Sequence, residues 1–309
     1  MDFSFTAEQD ELRSQARSFV AANPEPSWKE LAELGWTGVS VPETHGGAGL
    51  GFLEEAVLFE ELARALYHGP YFATVGLLLP ALPPPLQAEV AAGEASWTLA
   101  LGPLVCDLDT AMRVAVIGGD GIWELEGFER EVLSSTDTSR PLGVVVGGEP
   151  ATRLSDADLL PALRRRAYVA LALEACGVGS EALTLAVGYA CEREQFGRPV
   201  GGFQAVSHPL ATAYMELELA RSLALWAAWC IAEDDAQAPL AAASAKAQCA
   251  QASVAACERA IQALGGIGFT WEHPLHRLYK RALGIQSWEA SGAELRAEVA
   301  RYLLDEEGA

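Results

Sequence analysis

The chain has 309 residues, 50% of them apolar and 20% charged, with 29 Gly, 16 Pro and six Cys; that is enough to bury one large core or two to three smaller ones, and too balanced for a disordered or fibrous protein. Its 21 basic against 42 acidic residues leave a formal charge of −21, which repels polyphosphate backbones and excludes a nucleic-acid binder. Seven of the basic residues precede position 150 and fourteen follow it, so an anionic ligand is expected in the C-terminal half.

The opening Met1-Asp2-Phe3-Ser4-Phe5-Thr6 lacks the basic region, apolar stretch and small-residue cleavage site of a signal peptide, and a cytoplasmic protein is expected. Thr6 with Gln9 makes a capping box, so residues 7 to 22 read as helix until Asn23-Pro24-Glu25-Pro26 stops it. A short helix over Trp28 to Leu34 ends at Gly35. Pro42 to Gly51 reads as a glycine-rich structural turn, since Gly46-Gly47-Ala48-Gly49-Leu50-Gly51 is not G-x-G-x-x-G and no strand leads into it. Helical period resumes from Phe52 to Leu66, with Leu53, Val57, Leu58 and Leu62 on neighbouring turns. The most apolar stretch, Val75 to Leu86, is broken by Pro80, Pro83, Pro84 and Pro85, and no window is expected to reach the roughly 18 apolar residues of a membrane span.

From Ala95 to Pro150 the pattern changes to short β-type runs: Trp97 to Leu101, Arg113 to Ile117, Ile122 to Leu125 and Leu142 to Val146. Gly118-Gly119-Asp120-Gly121 punctuates the middle pair as a hairpin. These make a small sheet that needs neighbouring helices to cover it. Beyond Ser155 the chain is Ala/Leu-rich and helical over about 156 to 192, 204 to 233, 240 to 264, 274 to 286 and 292 to 305, the signature of an antiparallel bundle. Cys106, Cys176, Cys191, Cys230, Cys249 and Cys257 form no CxxC pair and are expected as reduced core cysteines.

Two segments of the bundle carry chemistry. The corner from Glu192 to His208 combines Arg193, Phe196, three glycines and the start of a helix. It suits either a plain interhelical turn or an anion site built from a guanidinium and free backbone amides. The second, Gln262-Ala263-Leu264-Gly265-Gly266-Ile267-Gly268, stops a helix and lets a ligand approach its backbone. Beyond it, Glu272, His273 and His276 are too few and too close together for a zinc site, and Arg277, Lys280 and Arg281 read as a solvated basic face.

Taken with Trp36-Thr37-Gly38-Val39-Ser40-Val41-Pro42-Glu43 and Gly46-Gly47-Ala48-Gly49, these motifs make the chain resemble the acyl-CoA dehydrogenases over nearly its whole length. The resemblance is strongest in Arg193-Glu194-Gln195-Phe196-Gly197-Arg198-Pro199-Val200 with Phe203-Gln204-Ala205, and in Gln262 to Gly268. It implies a mainly α (α+β) fold: an N-terminal helical domain (1–93), a truncated middle β-domain (94–152) and a C-terminal antiparallel four-helix bundle (153–309). It also implies FAD as cofactor, with Arg193, Gln195, Phe196, Gln262, Gly265 and Gly266 holding the diphosphate and adenosine half of a FAD bound mainly by a neighbouring subunit.

The family takes a proton from Cα of an acyl-CoA with a carboxylate while a hydride passes from Cβ to the flavin. Counting from the double glycine, Glu289 falls at the base position, and a solvated glutamate is its other reading. Some members carry the base at the start of the first bundle helix, where Arg166-Ala167-Tyr168 offers no carboxylate. The family's Thr-Glu-Pro-x-Gly-Ser loop, which binds the isoalloxazine ring, becomes Leu99-Ala100-Leu101-Gly102-Pro103-Leu104, and Trp123-Glu124-Leu125-Glu126-Gly127 only faintly echoes the family's second ring-binding strand. The resemblance therefore points to the smaller subunit of an α2β2 acyl-CoA dehydrogenase, similar to the paired enzymes that act on steroid side-chain CoA thioesters in cholesterol-degrading bacteria. A full-length partner would supply the ring site and the main base, and electron-transfer flavoprotein is the expected acceptor. The alternatives are a self-sufficient homomeric enzyme using Glu289, and a flavin-free interaction subunit.

Overall fold

The computed structural model describes residues 6–305; Met1–Phe5, most of the opening read above for a leader, and residues 306–309 lie outside the described residues. Both N-terminal helices start on capping boxes. Thr6 and Gln9 open α1 (Ala7–Ala22), Ser27 and Glu30 open α2 (Trp28–Glu33), and in each the side chain satisfies an amide the helix cannot. Gly47 lies under Val41, where a Cβ would stand 2.1 Å from the Val41 carbonyl oxygen, so this loop is a packed turn. α3 (Phe52–Arg64) is buried on most sides, with Phe59 set edge-on against Tyr71 at 5.2 Å.

Two elements of the N-terminal part escaped the sequence. Residues 72–78 form a π-helical segment ahead of the proline run, and α4 (Pro84–Ala91) starts within that run, on the prolines that a first helical turn accepts. Thr74 Oγ1 in the π segment donates to the Trp97 carbonyl and accepts from the Trp97 amide, both at 2.8 Å, stitching the N-terminal helices to the sheet.

The sheet has five strands in the order β1-β3-β4-β5-β2, from β1 (Trp97–Ala100), β2 (Val105–Cys106), β3 (Arg113–Gly118), β4 (Gly121–Val132) and β5 (Leu142–Asp156). β1 runs parallel to β3 and the other pairings are antiparallel. The β3–β4 hairpin turns at Gly118 and Gly121, as its glycines predict. β4 and β5 run far beyond their apolar segments, because once the inner halves pair the ladder continues over residues exposed to solvent.

The helical half consists of α5 (Leu160–Glu192), α6 (Gln204–Ala232), α7 (Ala238–Leu264), α8 (Leu275–Ser287) and α9 (Gly292–Asp305). α7 packs on both α5 and α6, with alanines Ala220, Ala224 and Ala227 of α6 fully buried, so small side chains allow close approach of the helices. One expectation is corrected here. The helix over residues 157–192 contains a window of mean hydropathy 1.4, apolar enough by composition to cross a membrane, and 78% of that window is buried inside the protein. Its apolar residues face α3, α6 and α7, as suits a central bundle helix. A second correction concerns Cys191, which is exposed, whereas the other five cysteines are buried; all six are free thiols.

Candidate functional site

α5 and α7 pack directly on each other in the same direction, Gly179 against Ser253, and α6 runs against α7, Glu216 meeting Arg259 and Ala220 meeting Cys249, so the α5–α6 and α7–α8 corners, which carry the two motifs, lie at the same end of the bundle. Arg193 caps α5, its amide bonded to the Tyr189 carbonyl. The chain then doubles back through a two-residue ladder, Glu194 opposite Pro199 and Gln195 opposite Arg198. Phe196 and Gly197 turn it with φ of 52° and 79°, both positive as a tight hairpin requires. The Phe196 ring is 93% exposed and edge-on to Phe203 at 6.1 Å, and the Arg198 guanidinium lies 3.9 Å over Phe203. Arg193 and Gln195 are exposed, and Gln195 Nε2 donates to the Glu194 carbonyl at 2.8 Å.

At the second corner Gln262, Gly265 and Gly266 are exposed, Gly265 has φ of 67°, and a Cβ on Gly265 or Gly266 would meet nothing within 4 Å. Phe269 and Trp271 beyond it are 73% and 77% exposed. An exposed guanidinium, open glycine backbone and uncovered aromatics suit the diphosphate and flat base of a cofactor brought by another molecule.

Glu289 lies elsewhere. The 13 residues of α8 carry the chain back by roughly 20 Å, so Glu289 and the second corner stand at opposite ends of that helix. Glu289 has φ of 58°, and the Ala290 amide bonds to the Trp288 carbonyl at 2.7 Å across it, forming a γ-turn, a conformation that a non-glycine residue adopts only under support. Lys246, 1% exposed on α7, supplies the support. Its Nζ donates to the Trp288 and Ala290 carbonyls at 2.6 and 2.8 Å, and burial pulls its ammonium down to about 8. The Glu289 carboxylate accepts from Arg164 Nε at 2.6 Å. Burial, together with that carboxylate, pushes the Tyr168 hydroxyl up to about 12. Glu289 is thus an exposed residue whose carboxylate is paired with Arg164, and it is the centre of a preformed mount.

Sequence reasoning missed the buried charges where the end of β2 and the β4–β5 loop meet α5 and α8. Arg281, read as part of a solvated face, is 1% exposed: its Nε donates to Asp137 Oδ2 at 3.0 Å and to Ser139 Oγ at 3.1 Å, and its NH2 donates to the Ser139 and Tyr67 carbonyls at 2.7 and 3.2 Å. Its i, i+4 spacing from Arg277 looked like a surface pattern, and only the three-dimensional fold brings Asp137 to it. Arg140 forms a two-pronged pair with Glu174, both contacts 2.7 Å, stands 3.5 Å from Asp107, and stacks over Phe72 at 4.7 Å. Phe72 meets Trp288 edge-on at 5.3 Å. Burial pushes the Asp107 carboxyl up to about 6 although Arg140 and Arg281 pull the other way, and its Oδ2 has no partner. Of the arginines at the start of α5, Arg166 pairs with the buried Glu55 and donates to the Val75 carbonyl at 3.3 Å.

A flavin ring does not fit this chain as it fits the family pattern. The loop from Leu99 to Leu104 offers no hydroxyl or carboxyl side chain to it, and beyond the end of β2 the Arg140, Phe72 and Trp288 side chains pack on one another. Trp123, the faint echo of a ring-binding residue, spends its indole N–H on the Gly118 carbonyl at 2.9 Å.

Comparison with known proteins gives consistent matches. Residues 6–82 match the acyl-CoA dehydrogenase N-terminal domain and residues 166–304 the acyl-CoA dehydrogenase C-terminal domain. The acyl-CoA dehydrogenase FadE34 of Mycobacterium tuberculosis is 36% identical over 282 residues, covering 84% of this chain but only 39% of its own length. The acyl-CoA dehydrogenase IpdE2 of the same organism is 34% identical over 289 residues, covering 91% of this chain and 86% of its own. Among solved structures, the Tcur3481-Tcur3483 steroid ACAD superposes with a TM-score of 0.87 at 28% identity, over 98% of this chain and 99% of that one. The ChsE4-ChsE5 complex of Mycobacterium tuberculosis shares the fold with a TM-score of 0.87 at 23% identity, over 99% of both chains.

Proposed function

The chain belongs to the acyl-CoA dehydrogenase family of FAD-dependent oxidoreductases, and from that premise we propose that it is the smaller subunit of an α2β2 heteromer that α,β-dehydrogenates a bulky steroid side-chain acyl-CoA. Bound in the partner, FAD would accept the hydride from Cβ; this chain's own residues close over the far half of that cofactor. Arg193 meets its diphosphate with guanidinium charge, Gln195 and Gln262 offer polar side chains beside it, Gly265 and Gly266 allow backbone approach, and Phe196 covers a flat face. Electron-transfer flavoprotein is the proposed acceptor.

The observation that carries this reading is the division of the site. The two glycine-bearing corners stand open at one end of the bundle, while toward the other end Arg140, Phe72 and Trp288 pack on one another. Similarity to a steroid ACAD and to a two-chain complex supports it, and so does a relative, FadE34, whose length beyond the 39% matched leaves room for a further unit of this size.

Co-expression with full-length family members, followed by a flavin count on the purified complex, tests it. One flavin per heterodimer is expected, and Arg193→Ala weakens flavin retention by about tenfold or more, the loss of a charge-assisted contact. One FAD bound per chain of this protein alone would sink the proposal. The mount around Glu289 favours a second reading, a self-sufficient enzyme with Glu289 as base; it requires the isolated chain to oxidise an acyl-CoA and Glu289→Gln to abolish that turnover.

A further inference from the structure

We propose that the space between the end of β2 and the Trp288–Glu289 turn is permanently filled, with the Arg140 guanidinium as its planar occupant, so that it takes neither flavin ring nor acyl chain and instead bolts the three parts of the molecule together. This rests on the heteromeric reading above and adds what became of this chain's own half-site.

The argument is geometric. Arg140 comes from the loop between β4 and β5 and is gripped on three sides: Glu174 of α5 receives both prongs at 2.7 Å, Asp107 after β2 stands 3.5 Å away, and the Phe72 ring lies 4.7 Å beneath it. Arg281 of α8 reaches the same place, 4.0 Å from Glu174, and ties Asp137 and Ser139 of the same loop to the Tyr67 carbonyl of the N-terminal part. The N-terminal helices, the sheet and the bundle therefore meet on two cations and three carboxylates, and Asp107, Glu174 and Arg281 are 1%, 5% and 1% exposed. Trp288 closes the other side, edge-on to Phe72 and Tyr168 at 5.3 and 6.1 Å and against the Cys106 thiol. A flat aromatic cofactor entering here would have to displace a guanidinium already stacked on an aromatic ring and paired on its edge, exposing buried charges without partners.

The test is made in the heteromer purified with its full-length partner. Arg140→Met alone strands the Glu174 carboxylate and should lower Tm sharply, whereas Arg140→Met with Glu174→Leu, an apolar replacement of similar bulk, should recover most of the loss. Flavin per heterodimer and kcat should stay within about twofold of the parent in the double variant. A folded double variant that loses about tenfold in kcat or gains as much in acyl-CoA KM would overturn the proposal and leave the heteromeric reading standing. A second flavin per heterodimer in the unmodified complex would overturn it too, together with the single-flavin count expected of the heteromer above, and that count remains decisive even where neither variant assembles. Flavin-dependent turnover by this chain without a partner would instead remove the heteromeric reading.

Discussion

Asp107 shows how far a single residue can depart from its sequence appearance. In Cys106-Asp107-Leu108 it looks like a turn aspartate, and it does sit at a φ of 54°, yet it is 1% exposed beside Arg140, Arg281, Glu174 and Asp109. Burial raises its carboxyl from the usual 3.8 to about 6. The folded chain therefore holds a proton that the unfolded chain releases between these two values, so stability falls as pH rises through that window and stays lower above it. Asp107→Asn keeps the shape without the charge and should raise stability at pH 8 by roughly 1–3 kcal/mol, with a smaller gain at pH 5. Urea unfolding at both values checks it, and an equal loss at each would show that the carboxylate is needed as an anion. Glu289 was legible by counting from Gly265-Gly266. That Lys246 and Arg164 hold it was not, because neither lies near it in the chain.

At the scale of elements, α5 contains two glycines whose substitutions should differ in sign. A Cβ on Gly177 would stand 2.1 Å from the Glu60 carbonyl oxygen of α3, whereas Gly188 is exposed with nothing within 4 Å. Gly177→Ala should cost about 1–3 kcal/mol or more by forcing α3 and α5 apart, and Gly188→Ala should gain up to about 1 kcal/mol from helix propensity. Thermal unfolding of the two variants reads the contrast directly. The same helix shows the reach of pattern reading. Its length and ends came from periodicity and from the glycines after Glu192, because a long helix repeats its own signal. The π segment over 72–78 and the two-residue β2 carry no such repetition, and packing alone creates them.

For the molecule as a whole, the distribution of exposed aromatics matters more than the net charge of −21. Phe196, Phe269 and Trp271 are 93%, 73% and 77% exposed at the two corners that share one end of the bundle, an arrangement that calls for a covering partner. Hydrogen exchange on the purified heteromer should show residues 194–203 and 265–273 more protected than in the isolated chain; unchanged exchange at both would place the partner elsewhere. The sequence by itself determined the long helices, the Thr6 cap and the sheet's hairpin, since these depend on neighbours within a few turns. Only the tertiary structure decided that Glu289 stands at the far end of α8 from the two corners, that Arg281 is buried, and that Arg140 packs between Glu174, Asp107 and Phe72. Those outcomes depend on which distant segments meet when the chain reverses, and a charged residue's own neighbourhood in sequence does not say which opposite charge the fold will bring to it.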